Sequence, residues 1–496
     1  MKYTLGFLLM FWLTLGFAQT KPHIFLIMTD QQRGDCIGKE NEVIITPNLD
    51  ALADDGVWFS NGYSSVPSCT PARAGLLTGC SPWQHGMLGY YRVAEEYPNE
   101  MPQMLRDAGY HTLGIGKMHW HPQRNLHGFH QTLLDESGRV ESDGFISDYR
   151  QWFAQQAPGL NPDATGIGWN EHRAATYVLA EDLHPTYWAA QTAIDFVDAY
   201  NDEKPLFMKL SFARPHSPYD PPKRYLDLYK DADIPAPYIG DWADDFAAYP
   251  PNKEAAFGDY GQEHAIKSRR HYYAAITFID DQIGRFIATL KQKGMYDNAL
   301  IIFISDHGDM LGDHHHWRKT YAYEGSTKVP FILKWPESTP AVMNKGTELL
   351  NCVELRDVLP TMLSVADIKQ PNNMDGRSLM DIVEHHDARW RPYIDLEHAT
   401  TYDAHNYWCA LTDGQQKYVW FFRSGEEQLF DLIKDPGEER NLIDDDNYKK
   451  ALKTWRKAMV KHLRERGAPY VKRGKLKTFD KTMLTSPNYP MQLLLR

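Results

Sequence analysis

The stretch 68–75 reads Ser-Cys-Thr-Pro-Ala-Arg-Ala-Gly and places a cysteine at a predicted helix start. Pro71 suits the first position of that helix, and Thr70 suits the capping position before it. The N–H groups at a helix start favour an anion, and Arg73 adds a fixed, forked cation. A nucleophile beside an anion site predicts attack on a sulfate or phosphate ester. The alternative is that Cys69 is a buried free cysteine near a helix cap.

Two predicted strands that are apolar throughout each end beside an acidic residue. Residues 23–28 and 299–304 are typical of strands buried on both faces. If the two strands are neighbours, two carboxylates, an amide oxygen and an imidazole converge, a set that suits Ca²⁺ or Mg²⁺. The alternative for each carboxylate is a cap on the next helix, and a structural zinc site is disfavoured because no cysteine accompanies them. The four polar residues after these strands are Asp30, Gln31, Asp306 and His307.

Three further positions carry residue types suited to holding an anion and moving protons. Lys117 and His119 lie two apart at the end of a predicted strand, so an extended backbone lets them share one face. A lysine there can hold an anion, and a histidine can exchange protons near neutral pH. His216 lies between Pro215 and Pro218, which limit the backbone freedom around its ring. A surface turn is the alternative for the first pair, and a structural role is equally favoured for His216.

A run of three histidines precedes the last candidate, Lys319. The stretch 313–318 reads Asp-His-His-His-Trp-Arg, and three histidines can bind a metal ion. A solvated loop is the favoured interpretation of this run, so none of its residues counts as a predicted ligand.

Predicted strands and helices alternate along most of the chain, which indicates an α/β fold with a mostly parallel sheet sandwiched by helices. Ligands of such sheets bind beyond the carboxyl ends of the strands, and the polar candidates fall there. Residues 129–183 are polar, aromatic and weakly periodic, so they predict long excursions that either shape a cleft or form a surface insertion. Residues 353–366 predict a helix.

From about residue 385 the pattern changes to that of a smaller α+β subdomain. Residues 417–422 and 427–431 indicate an antiparallel hairpin. Residues 448–464 predict an amphipathic helix, and a basic tail follows it. The predicted organisation is a signal peptide over 1–18, a catalytic domain over 19–384 and a C-terminal subdomain over 385–496.

The N-terminus has the pattern of a secretory signal peptide. Lys2 provides a positive end, residues 5–17 form an apolar run, and Gly-Phe-Ala at 16–18 provides a cleavage pattern. Cleavage after Ala18 predicts an exported protein, periplasmic or secreted, with no stable membrane span; an uncleaved anchor is the minor alternative. The net charge of −12 disfavours a non-specific nucleic-acid binder. The 5 cysteines are too few for a disulfide framework, and an odd number leaves at least one unpaired.

The joint pattern of these motifs resembles that of type I, formylglycine-dependent sulfatases, which are arylsulfatase-like members of the alkaline-phosphatase-like superfamily. The resemblance extends over nearly all of the chain after the signal peptide, including the C-terminal stretches 429–432, 435–438 and 441–442. It implies a sulfate ester hydrolase similar to bacterial enzymes that degrade polysaccharides. The matching motifs are Met-Thr-Asp-Gln at 28–31, Cys-Thr-Pro-Ala-Arg at 69–73, Gly-Lys-Met-His at 116–119, Pro-His-Ser-Pro at 215–218, Ser-Asp-His-Gly-Asp at 305–309, and Lys319.

The resemblance implies a modified nucleophile and a metal ion. Cys69 would be oxidised to formylglycine by a formylglycine-generating or sulfatase-maturating enzyme, and the hydrated aldehyde would supply the attacking hydroxyl. Many relatives have Asp where Gln31 stands and Asn where His307 stands, and both variants occur in the family. The cation, Ca²⁺ or else Mg²⁺, would be held by Asp30, Gln31, Asp306, His307 and the modified Cys69.

The resemblance also implies roles for the basic residues. Arg73 and Lys117 would orient the nucleophile and offset its charge. His119 would take the proton of the second hydroxyl when sulfate is expelled. His216 would protonate the leaving alcohol, and Lys319 would bind sulfate oxygens.

The expected substrate is a sulfated polysaccharide or oligosaccharide, because long loops rich in Trp, Tyr and His are suited to stacking on sugar rings. An ulvan-type marine glycan is one candidate. The alternative within enzymes is a phosphonate monoester or phosphodiester hydrolase, since some of those share the formylglycine signature. An inactive glycan-binding relative is disfavoured because the full set of predicted catalytic residues is present.

Overall fold

The computed structural model describes residues 21–136, 138–139, 144–248, 252–339, 345–385 and 390–490. The predicted signal peptide over 1–18 lies outside these residues. Among the helices in the described ranges, none is both long enough and apolar enough to cross a membrane.

In the described ranges, the strands form one large sheet and three smaller ones. In chain order they are β1 (His23–Asp30), β2 (Val57–Phe59), β3 (Gly62–Tyr63), β4 (His111–Gly116), β5 (Gln131–Leu134), β6 (Leu206–Pro215), β7 (Ala299–Ser305), β8 (Phe331–Lys334), β9 (Thr347–Leu349), β10 (Val353–Glu354), β11 (Ile394–His398), β12 (Trp408–Thr412), β13 (Gln416–Phe421), β14 (Glu427–Asp431), β15 (Val471–Lys472) and β16 (Lys475–Leu476).

The large sheet has eight strands in the order β5-β4-β6-β1-β7-β8-β2-β9. The first five of these run parallel to one another, whereas β8 is antiparallel to both β7 and β2. The predicted α/β fold with a mostly parallel sheet is confirmed. The central strand, β1, lies between β6 and β7, so its carboxyl end is flanked by the ends of two parallel neighbours.

Helices cover both faces of this sheet. In chain order they are α1 (Pro47–Asp54), α2 (Cys69–Thr78), α3 (Pro82–His85), α4 (Met101–Asp107), α5 (Asp148–Gln156), α6 (Pro185–Ala199), α7 (Lys223–Asp227), α8 (Asp244–Ala247), α9 (Gln262–Gln292), α10 (Glu324–Thr327), α11 (Val358–Val365), α12 (Met380–His385) and α13 (Lys449–Arg464).

The apolar run in β1 explains why the sheet is covered twice. Its residues point alternately to the two faces. Leu26 and Met28 pack into a core shared with α2, α4 and α11, whereas Phe25 and Ile27 pack into a second core shared with α1, α6 and α9. Burying each such side chain contributes roughly 1.5–3 kcal/mol, so the strand is fixed between two layers.

A second, antiparallel sheet follows in the order β11-β12-β13-β14. The predicted hairpin is the pair β13–β14, and the predicted amphipathic helix is α13. Helix α13 buries one face against this sheet, with Trp455 and Met459 at its centre. The predicted domain boundary at residue 385 stays a prediction.

The range 129–183, predicted to form long and weakly periodic excursions, contains the short elements β5 and α5. One expectation from the sequence was wrong in detail. The helix predicted from residue 353 begins only at Val358, because Val353–Glu354 pairs with β3 and the Glu354 N–H donates to Asp357 Oδ2 at 3.0 Å. A continuous apolar pattern does not reveal that the chain changes from strand to helix, since both are buried on this side of the core.

Candidate active site

Asp30 and Asp306 leave the large sheet side by side. Strand β1 ends at Asp30, β7 ends at Ser305, and the two strands pair in parallel with Thr29 opposite Ser305. Both aspartates are fully buried. The structure therefore brings together two carboxylates whose strands are far apart in the sequence.

Helix α2 places Cys69 at the same edge of the sheet. The helix begins at Cys69, with Ser68 at the N-cap, so the predicted start at Pro71 with a Thr70 cap was wrong. A proline is tolerated anywhere in the first turn, where its missing N–H would have no partner in the helix, and Pro71 therefore did not mark the first position. The Ser68 hydroxyl does not cap the helix but is hydrogen-bonded to His398 Nε2 at 2.8 Å.

The Cys69 thiol lies between cations and carboxylates. Its Sγ is 3.2 Å from Lys319 Nζ, 3.2 Å from His307 Nε2 and 3.9 Å from Asp30 Oδ1. Burial and the Asp30 carboxylate raise the pKa of the thiol. The attraction of Lys319, Lys117 and His307 outweighs both and lowers that pKa to about 5. The position of Sγ thus favours a negative charge, as a site for an anionic ester requires.

Arg73 clamps the two carboxylates. Its Nε donates to Asp306 Oδ2 and its Nη2 to Asp30 Oδ2, both at 2.9 Å. Its Nη1 donates to the carbonyl oxygen of Lys117 at 2.6 Å, and Lys117 Nζ lies 2.5 Å from Asp30 Oδ2. Burial raises the pKa of Asp30, but these cations, with His216 and Lys319, hold it well below its usual range.

The clamp leaves one oxygen of each aspartate facing Cys69 and His307. Asp30 Oδ1 points toward Cys69 Sγ, and Asp306 Oδ1 lies 3.5 Å from His307 Nε2. The possible ligand atoms of four residues all lie within 4.8 Å of one another. These four residues are Asp30, Cys69, Asp306 and His307.

The His307 ring is held in one tautomer. Its Nδ1 lies 2.9 Å from the carbonyl oxygen of Gly308, which can only accept, so Nδ1 carries a hydrogen and Nε2 presents a lone pair. Burial lowers the pKa of His307, but the attraction of Asp306 outweighs it and the pKa is raised. A proton and a metal ion would therefore compete for the lone pair of His307 Nε2.

Gln31 is oriented by partners on both sides of its amide. Lys319 Nζ donates to Gln31 Oε1 at 2.7 Å, and Gln31 Nε2 donates to Asp309 Oδ2 at 2.5 Å. Tyr219 also donates to Asp309 Oδ2, at 2.5 Å. Asp309 thus fixes the amide so that its carbonyl oxygen faces Lys319 Nζ, which also contacts Cys69 Sγ. The sequence contained Asp309 in the Ser-Asp-His-Gly-Asp motif, but nothing there assigned this supporting contact.

Lys117 and His119 follow β4 at the carboxyl edge of the sheet, as their positions predicted. Glu136 supports this turn, because its Oε1 accepts the N–H groups of Met118 at 2.8 Å and His119 at 2.7 Å. Burial lowers the pKa of the His119 imidazole, and the nearby cations Arg139 and Lys117 lower it further. His119 is therefore neutral at neutral pH and can accept a proton. Sequence reasoning missed Glu136, which no motif marks.

His216 lies at the end of β6, beside β1. Its N–H donates to the Asp30 carbonyl oxygen at 3.0 Å, and its Nδ1 donates to the Ser217 carbonyl oxygen at 2.9 Å. The ring is 1% exposed, and its Nε2 has no hydrogen-bond partner among the described residues. Burial and Lys319 hold the pKa of His216 well below its usual value. Nε2 is thus available to a ligand.

A cavity of about 480 Å³ opens beside helix α2. Its wall includes Thr70 and His119, which adjoin the site, together with two groups that sequence reasoning missed, Tyr90 and Arg139. The Tyr90 hydroxyl is 3.8 Å from Cys69 Sγ. Within the described ranges, the Arg139 guanidinium makes no hydrogen bond or ion pair. Both residues lie in loops, where no periodic pattern marked them.

The triple histidine is not the solvated loop that the sequence favoured. His314 and His316 are buried, and they pack against the rings of Trp242 and Tyr323. Polarity alone predicted exposure, but surrounding aromatic rings bury the imidazoles. Neither residue belongs to a described group of possible metal ligands.

A further cavity, of about 490 Å³, lies between the loops around Arg33 and the C-terminal sheet. Its wall is rich in carboxylates, including Asp35, Glu324 and Glu438, and contains none of the predicted site residues. Such a wall repels an anionic substrate, so the cavity beside Cys69 is the candidate active site.

Solved structures share this fold of a mostly parallel sheet covered by helices. A phosphonate monoester hydrolase from Silicibacter pomeroyi superposes with a TM-score of 0.76 at 24% identity, covering 93% of this chain and 99% of that one. A protein solved in complex with its substrate D-glucosamine-2-N,6-O-disulfate superposes with a TM-score of 0.72 at 20% identity. This match covers 91% of this chain and 99% of that one. At these identities the likeness shows the fold alone.

Sequence comparisons give the family. The sulfatase family model matches residues 22–368, and the model for the C-terminal region of N-sulphoglucosamine sulphohydrolase matches residues 312–465. An arylsulfatase from Clostridium perfringens is 42% identical over 475 residues, covering 92% of this chain and 97% of the relative. The chain belongs to the sulfatase family and is a sulfuric ester hydrolase.

Proposed function

We propose that this protein is exported and hydrolyses sulfate esters of a sulfated polysaccharide or oligosaccharide, using formylglycine at position 69 and a bound Ca²⁺. The observation that carries the proposal is the position of Cys69 Sγ, 3.2 Å from both Lys319 Nζ and His307 Nε2, among ligand atoms that cluster within 4.8 Å. Export is supported by the signal-peptide pattern over 1–18.

The donor set fits a hard dication. Arg73 occupies the outer oxygen of each aspartate, so that Asp30 Oδ1 and Asp306 Oδ1 are directed to a common point beside the lone pair of His307 Nε2. Gln31 offers its carbonyl oxygen, which Lys319 holds at 2.7 Å. Oxygen-rich sets with two carboxylates suit Ca²⁺, and Mg²⁺ is the second choice. The ion would polarise the sulfuryl group and anchor one of its oxygens.

The modified residue would be made from Cys69 by a formylglycine-generating or sulfatase-maturating enzyme. Its hydrated aldehyde would supply a hydroxyl nucleophile, and the second hydroxyl would allow sulfate to be expelled without attack of water on sulfur. The cations around position 69 already lower the pKa of the unmodified thiol, and the same field would favour an ionised hydroxyl there.

Lys319 and Lys117 supply positive charge on two sides of this position. Lys319 Nζ lies 3.2 Å from Cys69 Sγ and donates to Gln31 Oε1 at 2.7 Å, so it would reach the oxygens of a sulfate held at position 69. Lys117 Nζ is held by Asp30 and, with Arg73, fixes the carboxylate and offsets its charge. Charges placed in advance around the sulfuryl group stabilise the transition state without reorganisation.

Two histidines are proposed to move protons. His119 is kept neutral by burial and neighbouring cations, so it can accept the proton of the second hydroxyl. His216 directs Nε2 away from its Ser217 contact, without a described partner. An anionic ester beside His216 would raise its pKa again, so that Nε2 can give a proton to the leaving alcohol.

Arg139 extends the positive wall into the cavity. Its guanidinium has no described partner and lines the same cavity as His119 and Tyr90. We assign it to binding of the sulfated sugar beyond the sulfate that is removed. A carbohydrate is supported by the relative whose structure contains D-glucosamine-2-N,6-O-disulfate.

The proposal is tested by comparing kcat/KM on an aryl sulfate, an aryl phosphonate monoester and an aryl phosphodiester, followed by a panel of sulfated oligosaccharides that includes ulvan fragments. We expect the sulfate ester to be preferred and free sulfate to appear from at least one oligosaccharide. Faster turnover of the phosphonate or phosphodiester would refute the assignment. Cys69→Ala should abolish turnover, and mass spectrometry of the wild-type peptide with Cys69 should show the aldehyde.

A further inference from the structure

Charge is distributed very unevenly along this chain. Residues 449–481 contain 13 basic and 2 acidic residues, a net charge of +11. Because the whole chain carries −12, the remaining residues together carry −23. None of the residues in 449–481 belongs to the proposed active site, so that chemistry does not account for the excess.

The basic residues share one exposed region of the C-terminal subdomain. Helix α13 buries Leu452, Trp455, Met459 and Leu463 and leaves its opposite side in solvent. The β15–β16 hairpin packs against the helix, so the basic residues of the two elements lie in the same part of the subdomain. We call the following exposed residues the basic surface: Lys450, Lys453, Lys457, Lys461, Arg464, Lys472, Arg473, Lys475, Lys477 and Lys481.

The cations of this surface lack ion-pair partners among the described residues. Two other exposed cations of helix α13 have partners, since Lys449 pairs with Asp446 and Arg456 with Glu427. In the described part of the chain, no member of the basic surface forms an ion pair. A cluster of unpaired cations on an acidic protein produces a local positive potential that attracts polyanions.

The basic surface is joined to the active-site cavity by the C-terminal segment. After the hairpin, residues 477–490 run back to the catalytic side, where the Leu484 carbonyl oxygen accepts the N–H of Leu88 at 2.9 Å. The same segment ends at Tyr489 and Pro490, which line the cavity that also contains His119. Segment 477–490 thus carries Lys477 and Lys481 of the basic surface at one end and lines the cavity at the other. A long ligand bound on the basic surface therefore lies on a segment that leads to the cavity.

We propose that the basic surface binds a sulfated polysaccharide and so retains the polymer whose sulfate esters the active site removes. This inference rests on the proposed action on sulfated carbohydrate. A polyanion that replaces condensed counterions gains affinity that falls steeply with salt. Once one part of the polymer is held, the effective concentration of neighbouring sulfate esters at the cavity rises. DNA and anionic membranes are attracted by the same charge, but only a sulfated glycan also carries the ester that the cavity accepts.

The test uses dextran sulfate as the probe and full-length Cys69→Ala protein, which binds without consuming it. One variant reverses four charges on the exposed side of helix α13, where Glu preserves helix propensity. A control variant makes the same change of net charge at exposed lysines elsewhere. The first carries Lys453→Glu, Lys457→Glu, Lys461→Glu and Arg464→Glu, and the control carries Lys204→Glu, Lys230→Glu, Lys291→Glu and Lys369→Glu.

We expect the helix variant to bind dextran sulfate at least about tenfold more weakly at low salt, with a shallower salt dependence, while the control changes by less than about twofold. With Cys69 intact, both variants should keep kcat/KM for a small aryl sulfate but differ on the polymer. Equal losses in the two variants, or wild-type binding to DNA or phosphatidylglycerol vesicles as tight as to dextran sulfate, would overturn the inference. If wild-type protein does not hydrolyse the aryl sulfate, the proposed function is refuted. The binding of dextran sulfate can still be judged separately, because it is measured without turnover.

Discussion

Replacement of Arg73 by methionine tests the central electrostatic arrangement of the site. Arg73 is 1% exposed and makes four hydrogen bonds, to Asp306, Asp30, the Lys117 carbonyl oxygen and, at 3.4 Å, Ser211 Oγ. Asp30 keeps Lys117 as a partner after the substitution, with Nζ 2.5 Å from Oδ2. Asp306 loses its cation, although the Gln31 N–H still donates to its Oδ1 at 3.0 Å.

The expected cost follows from this unpaired, buried carboxylate. Removing one partner of a buried ion pair costs about 3–5 kcal/mol, because the remaining charge keeps its desolvation penalty. We therefore expect Arg73→Met to lower the free energy of unfolding by that amount in the presence of EDTA. Ca²⁺ should recover more than about 1 kcal/mol of the deficit, because the ion and Arg73 neutralise the same two aspartates.

Urea denaturation of wild type and variant, with EDTA and with Ca²⁺, measures both effects. Arg150→Met is the matched control, since Arg150 forms a pair with Asp163 at the surface and its loss should cost less than about 1 kcal/mol. If Arg73→Met loses no more unfolding free energy in EDTA than Arg150→Met does, the clamp is refuted. Equal stabilisation of both proteins by Ca²⁺ would show that the ion and Arg73 do not neutralise the same aspartates, and no stabilisation of either protein would refute the metal site.

Three further substitutions have defined expectations. Lys319→Met should lower kcat/KM on an aryl sulfate by about 100-fold or more in steady-state kinetics, because a cation 3.2 Å from Cys69 Sγ is lost. Arg139→Gln should raise KM for a sulfated disaccharide by about tenfold with little change in kcat, since its charge lines the cavity wall. Burial lowers the pKa of His398 to about 3, so below about pH 6.5 only the unfolded state takes up this proton. Between about pH 7.5 and 5, wild type should therefore lose about 2 kcal/mol more unfolding free energy than His398→Gln, as measured by urea denaturation.

Each of these expectations has a contradicting result. If Lys319→Met turns over substrate like wild type, Lys319 does not make the proposed sulfate contacts. The control is Lys267→Met, because Lys267 is exposed. An Arg139→Gln variant that loses kcat but keeps KM would place Arg139 at the reacting group. Parallel stability curves for wild type and His398→Gln would show that the His398 imidazole titrates alike in both states.

Most of the fold was predictable because its signals are local. Continuous apolar runs marked β1 and β7. The helical periodicity of residues 263–293 likewise predicts a helix, and the structure has α9 over Gln262–Gln292. The exceptions arose where tertiary contacts decide. Val353 and Glu354 pair with β3 instead of starting a helix, and His314 and His316 are buried by aromatic rings from distant parts of the chain.

The residues of the candidate site likewise fall into those that local patterns predicted and those that only the structure revealed. The sequence named the residues at strand ends and in the Cys-x-Pro-x-Arg motif, because motif spacing and strand termination are read within a few residues. It assigned no role to Glu136, Asp309, Tyr90 or Arg139, which support or line the site from loops. Their contribution depends on where those loops return in space, and no local pattern encodes that.

By itself, the sequence determined that Cys69 stands at a helix start, that acidic and basic groups follow apolar strands, and that the sheet is mostly parallel. Only the tertiary structure decided that β1 and β7 are neighbours, because the paired residues Thr29 and Ser305 are 276 positions apart in the chain. That pairing brings Asp30 and Asp306 within reach of one guanidinium. The physical reason is that residue types and periodicity act locally, whereas strand order is fixed by the packing of the whole core.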